Sequence, residues 1–188
     1  MDKEIQEYIA LRKEINDLCS SSDNIISMLY AFLTAYLAFV FNKEDSVYLL
    51  FSYVVLIPVY LLILSKRIAT CKISAYISVF HENKENMWEN RLMEYKTPKK
   101  PFIFSFIEAT HFPFIFINLF LLVFYIIRIN INELQSIYGW FKLILLLLFF
   151  SIIYALTVRY RKISVSDYVN EWKNIKDIEN ITTQKNTT

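Results

Sequence analysis

One glycine, four prolines, two cysteines and two histidines are all that this 188-residue chain has of the residues that most often build turns, staples and ligand sites. Each shortage excludes something. A lone Gly139 cannot make a glycine-rich phosphate cradle or a Gly-x-Ser-x-Gly nucleophile elbow, and it argues against turn-rich β structure. Cys19 and Cys71 are too few and too scattered for a metal-ligand cluster, and both fall on the side expected to be reducing, where a structural disulfide is not expected. His81-Glu82 resembles the start of a zinc protease motif, but position 85 is Glu where the second His would stand. His81 and His111 together cannot supply a hydrolase triad or a histidine-rich membrane oxidase site. A formal net charge of +2 is too small to expect a nucleic-acid partner. No catalytic residue, cofactor or metal is therefore expected, and the chain does not read as an enzyme.

What the chain has in quantity is apolar sequence: 55% hydrophobic residues, gathered into blocks rather than dispersed. "NIISMLYAFLTAYLAFVF" (24–41), "VYLLFSYVVLIPVYLLIL" (47–64), "FPFIFINLFLLVFYII" (112–127) and "LILLLLFFSIIYALTV" (143–158) carry no charge. A hydrocarbon core of about 30 Å needs roughly 20 helical residues. The first two blocks meet that directly. The last two meet it with flanking residues, Lys142 reaching the interface by its long stem. Lipid offers backbone groups no partners, so helices are expected, and the lack of polar/apolar alternation argues against a β-barrel. The first block lies too far from Met1, with charges ahead of it, to read as a signal peptide. The expected fold is all-α: an integral membrane protein with four transmembrane helices in two hairpins and cytoplasmic helical extensions.

Basic residues set the expected orientation. Seventeen of the twenty Lys and Arg lie in residues 1–23, 66–101 and 159–188, leaving Lys43, Arg128 and Lys142 on the other side. This predicts a multi-pass protein of the cytoplasmic (inner) membrane with both termini inside. The expected order is an amphipathic helix over 1–23, a hairpin over 24–64, a cytoplasmic helical stalk over 65–101, a second hairpin over 102–158, and a C-terminal helix with a disordered tail over 159–188. Ser20, Ser21, Ser22 and Asp23 offer N-cap oxygens for the first span. Tyr48, Tyr125, Tyr138 and Trp140 are expected in an interfacial aromatic belt. Pro58 is expected to kink the second span.

The middle segment has no Gly or Pro between Ser65 and Thr97, so its helix is expected to continue out of the second span toward Tyr95. Tyr76 and Phe80 lie on an apolar face near the membrane, with Trp88 on another farther out. The C-terminal piece repeats Val165, Val169, Trp172, Ile175 and Ile178 at helical spacing. Three amphipathic pieces each have an apolar face that needs covering. They either pack together, or join subunits or receive another protein.

Arg67, Tyr76, Phe80, Glu82, Trp88, Glu89 and Arg91 are the candidate assembly or partner residues. The segment 67–92 resembles one found in uncharacterised small multi-span bacterial membrane proteins: Arg67, then Tyr76-Ile77-x-Val79-Phe80-x-Glu82, a spacer, and Trp88-Glu89-x-Arg91. The resemblance implies a shared cytoplasmic element. Glu108 and His111 are spaced like a pair of di-iron ligands on one helix face, but no second such pair exists, and an interfacial polar pair is the expectation. Ser27, Ala31, Thr34, Ala35 and Ala38 form a small-residue stripe suited to helix packing or to lining a narrow path. No span carries a central charge, which disfavours an ion-coupled pump. The functional expectation is a homo-oligomeric bacterial membrane protein, of the pore-forming or membrane-perturbing kind that occurs among antiphage effectors of similar build. Its partners are the bilayer, further copies of itself and a cytoplasmic protein. Two alternatives stand beside this expectation: a membrane anchor recruiting a soluble partner, and a metal-dependent membrane enzyme.

Overall fold

The computed structural model describes residues 3–41, 47–81, 112–128 and 136–186. Among them the chain is all-helical: α1 (Lys3–Phe41), α2 (Val47–Phe80), α3 (Phe112–Arg128), α4 (Ile137–Lys162) and α5 (Ser166–Asn186). Three helices, α1, α2 and α4, are long and apolar enough to cross a membrane, and they place the chain there. The 17-residue α3 is apolar but shorter.

Contacts divide the chain into two units, 1–22 with 65–99 and 161–188, and 23–64 with 100–160. In the 23–64/100–160 unit, α2 is the hub. Tyr53 meets Asn118 of α3 and Phe149 of α4, and Tyr60 meets Phe114 of α3 and Thr157 of α4. Moving up α2 from Tyr53 to Tyr60 therefore moves down α3 and up α4. The helix α2 is antiparallel to α3 and parallel to α4. Leu49, Leu56 and Ile63 of α2, with Leu121, Leu146 and Ile153, fill the remaining core.

The outside of this unit is apolar. Phe51, Val54, Phe116, Ile126, Ile144 and Leu148 are exposed, and Ile127 reaches 73%. Water does not tolerate so continuous an apolar surface on a small chain, whereas lipid does. Tyr48, Tyr138 and Trp140 lie on the exposed surface. Tyr125 does not: it is fully buried, because its position in α3 shares a face with Phe114, Asn118 and Leu121.

Local signals near 20–23 act differently from expectation. No cap interrupts α1, which runs unbroken through Asp23. The Ser22 hydroxyl donates to the Leu18 carbonyl and the Ser27 hydroxyl to the Asp23 carbonyl, both back-bonds within the helix. Ser21 accepts a 2.8 Å bond from Lys66 of α2. With no Gly or Pro in α1, nothing forces a stop. As expected, α2 runs on past the second apolar block, with Pro58 inside it, as far as Phe80. At the other end of the chain, α5 extends to Asn186, farther than its polar tail suggests, with the Thr182 hydroxyl bonded to Ile178.

Candidate functional site

The 1–22/65–99/161–188 unit holds a constellation of polar and aromatic groups. Its centre is the last two turns of α2. The expected positions Tyr76 and Phe80 are there, stacked on each other at 4.7 Å. The C-terminal helix α5 docks on them through Tyr168, Trp172 and Lys176, four residues apart and so on one face. Trp172 stands edge-on to Tyr76 at 5.1 Å and to Phe80 at 6.2 Å, the favoured geometry for aromatic pairs. Its indole N–H donates to the Lys72 carbonyl at 3.2 Å. Lys176 lies 5.3 Å from the Phe80 ring and donates to the Val79 carbonyl at 2.5 Å. A cation there complements the negative end of α2. Lys72 reaches back over the Tyr168 ring at 5.6 Å.

The N-terminal part of α1 closes the other side. The Tyr76 hydroxyl donates to Glu7 at 2.9 Å. Partial burial, the Glu7 bond and the charges of Glu7 and Glu179 all raise the Tyr76 pKa above its ordinary value, burial contributing most. The phenol is thereby held in its donor form. His81 sits beside the same carboxylate, its Nε2 3.7 Å from the Glu7 oxygen, beyond hydrogen-bond reach. Its ring is flanked by Tyr76 at 5.7 Å and Tyr8 at 6.2 Å. Arg12 covers the other flank of Tyr8, with a 3.1 Å bond to the phenol oxygen. Glu7 thus bonds Tyr76 of α2 and lies close to His81 just past the helix end.

Of the other candidate positions, Arg67 is half-buried on α2. Glu82, Trp88, Glu89, Arg91, Glu108 and His111 lie outside the described residues. Within them the aromatic anchor is Trp172. Glu7, Tyr8, Lys72, Tyr168 and Lys176 were not singled out from the sequence. The signal available was the matched four-residue spacing of Tyr168-Trp172-Lys176 and Lys72-Tyr76-Phe80. Among the described residues, no three His, Cys, Asp or Glu side chains come together as a metal site would need.

In the 23–64/100–160 unit, Ser52, Asn118 and Thr157 are polar residues buried inside. The Tyr53 hydroxyl donates to Asn118 at 2.9 Å, and the Tyr60 hydroxyl to Thr157 at 3.0 Å, while Thr157 donates on to the Ile153 carbonyl. Tyr60 also stacks on Phe114 at 4.2 Å, nearly parallel. Tyr36 donates to the Tyr48 carbonyl at 2.6 Å. That carbonyl is one turn before Ser52, whose own fully buried hydroxyl has no partner among the described residues. The small-residue stripe faces the other way. Leu29, Leu33 and Val40 are the buried side of α1, while Ser27, Ala31, Thr34, Ala35 and Ala38 are all exposed. These residues follow the small-x3-small pattern three times over, at 27/31, 31/35 and 34/38.

No family model, curated protein or solved structure matches this chain.

Proposed function

We propose that this chain is a four-span protein of the cytoplasmic membrane, with both termini and residues 65–101 inside, that acts by assembling with copies of itself and perturbing or perforating the bilayer. The observation that carries the assembly is the outward face of α1. A small-residue stripe normally lets helix backbones approach closely. Here it is exposed, and the chain buries the opposite, leucine-bearing side of α1 instead. Small side chains give lipid little to pack against, whereas a second α1 can approach them closely. Four spans are supported by α3 lying antiparallel to α2, as an added crossing between α2 and α4 requires, and by a length at the lower limit for a span. The basic-residue asymmetry supports the orientation.

Cysteine cross-linking in native membranes tests the assembly. In a variant lacking Cys19 and Cys71, Cys at Ala31, Thr34 or Ala38 should yield covalent dimers, while Cys at the buried Leu33 should not. A chain that runs as a strict monomer in mild detergent, with no cross-link at any stripe position, overturns it. Labelling from outside should reach Cys at positions 44 and 133 and not at 90.

A membrane anchor for a soluble partner is the second reading. It is favoured by exposed apolar residues on the other unit, Ile5 and Ile9 of α1 and Ile178 and Ile181 of α5.

A further inference from the structure

A groove of about 290 Å³ runs between α2 and α4 in the 23–64/100–160 unit. Leu50 and Val54 of α2 face Leu145 and Phe149 of α4 across its depth, and Tyr138 and Lys142 stand on the α4 side nearer the helix start. Because α2 and α4 are parallel, both begin at the same end of this groove. Its lining is almost wholly hydrocarbon, with Tyr138 and the stem of Lys142 on the α4 side at the end where both helices begin. From Tyr138 to Phe149 is roughly 16 Å of helix. That is about half of a hydrocarbon core of about 30 Å, the depth of one leaflet.

We infer that this groove binds one anionic phospholipid, an acyl chain lying along Leu50, Val54, Leu145 and Phe149 and the phosphate on Lys142. Three features favour this occupant. The groove lies on the apolar exterior, where hydrocarbon is the solvent. Its length matches one acyl chain and its leaflet rather than a spanning helix of a second copy. Lys142, whose flexible stem can carry its ammonium toward that end of the groove, and the N-terminal ends of two helices lie together there, and each favours an anion. The inference rests on the membrane reading of α2 and α4 and not on the proposed self-assembly.

The test uses the full chain in nanodiscs of phosphatidylcholine and phosphatidylglycerol in equal amounts, with lipid retained by the released protein read by intact-mass spectrometry. Wild type should retain phosphatidylglycerol in preference. Lys142→Gln should reduce that preference about fivefold, the effect of one basic residue at an anionic surface. Val54→Trp, at a side chain 61% exposed and so free of the core, should fill the groove and abolish retention of both lipids. Ile144→Trp, exposed elsewhere on α4, should change neither. Equal retention of the two lipids by wild type, an undiminished preference in Lys142→Gln, or full retention by Val54→Trp overturns the inference. So does a covalent dimer through Val54→Cys, which would put a second copy in the groove. Carbonate extraction run alongside separates the premise: a chain released from membranes refutes the membrane reading and this inference with it. A chain that stays embedded but shows no lipid preference refutes only the inference.

Discussion

The two units of this chain both bury apolar side chains but differ in the surface they present and in the polar contacts they enclose. In 23–64/100–160, the surface is Phe, Leu, Ile and Val, and the interior holds the Tyr53–Asn118 and Tyr60–Thr157 hydrogen bonds and the Ser52 hydroxyl. In 1–22/65–99/161–188, charged side chains line the exterior, and the interior contacts are ring on ring, Tyr76, Phe80 and Trp172, trimmed by Lys72, Lys176 and Glu7. The difference follows from what each unit has outside it. Between helices in lipid there is no hydrophobic force to gain, so close packing and interhelical hydrogen bonds hold them together. In water, removal of apolar surface is the dominant gain, and charges serve to aim it. The same residue, Tyr, therefore does different work: Tyr60 is a packed ring with a buried donor, and Tyr76 is a half-buried ring whose donor faces a carboxylate.

The largest expected effect tests the packing half of that comparison. Tyr60→Ala removes a fully buried ring stacked on Phe114 and should cost about 3–5 kcal/mol. Tyr60→Phe removes only the bond to Thr157 and should cost about 0.6 kcal/mol, the average for such bonds between membrane helices. Unfolding in mixed micelles reads both. A Tyr60→Phe cost close to that of Tyr60→Ala would mean that the hydrogen bond to Thr157, not the packing of the ring, carries the contribution of Tyr60.

Trp172→Ala tests the other unit. Trp172 is only half-buried, so the loss should be about 2 kcal/mol, below that of a core Trp. It should appear as faster amide exchange over α5 and the last turns of α2, with membrane insertion unchanged. Trp172→Phe should recover part of it, keeping the ring contacts with Tyr76 and Phe80 while losing the bond to the Lys72 carbonyl.

The apolar blocks behind α2 and α4 are legible in the sequence because hydrocarbon thickness leaves helices few alternatives. Which side of a helix faces inward is less so. The α1 stripe and its leucines are both compatible with a packed face, and lipid gives neither the hydropathic contrast that water gives. Tyr125, read as an interfacial ring, is buried for the same reason: position along the chain sets depth, but only the neighbours Phe114 and Leu121 reveal the face. Tyr53 and Tyr60, two helical turns apart, were the visible trace of the α2 hub. Asn118, the one amide in the third apolar block, was the trace of its partner. The serines at 20–22 misled because a hydroxyl that can cap a helix can equally bond back into one. The choice of Trp172 as docking anchor was half legible, since its face was visible and its target on α2 was not.

Smaller effects sharpen the electrostatic part. Lys176→Gln withdraws a cation from the end of α2 and should cost about 0.3–1 kcal/mol, less at high salt. The corresponding change on the apolar side, Ile144→Gln, exchanges one exposed side chain in lipid for a polar one and should respond little to salt. Equal salt dependence of the two would mean that both units face the same solvent.

The smallest effect expected is a pH dependence confined to one unit. Burial and the nearby carboxylates hold the Tyr76 pKa above the value of 10.0 that it has unfolded. The neutral phenol is the favoured form in the folded unit, so its contribution is fully present below about pH 10 and declines as pH rises from there through the folded-state value. Ionisation would turn the donor to Glu7 into a second anion facing it. The docking of α5, followed by Trp172 fluorescence in full-length protein, should therefore loosen above about pH 10 in wild type. Other tyrosines ionise in the same range, so the informative quantity is the difference from Tyr76→Phe, which lacks the titrating group but keeps the ring against Phe80 and Trp172. That variant should be slightly less stable at neutral pH, by about 1 kcal/mol at most for one exposed hydrogen bond, and its α5 docking should be less sensitive to alkali. Identical alkaline profiles for the two chains would show that the Tyr76–Glu7 contact does not help hold this unit together.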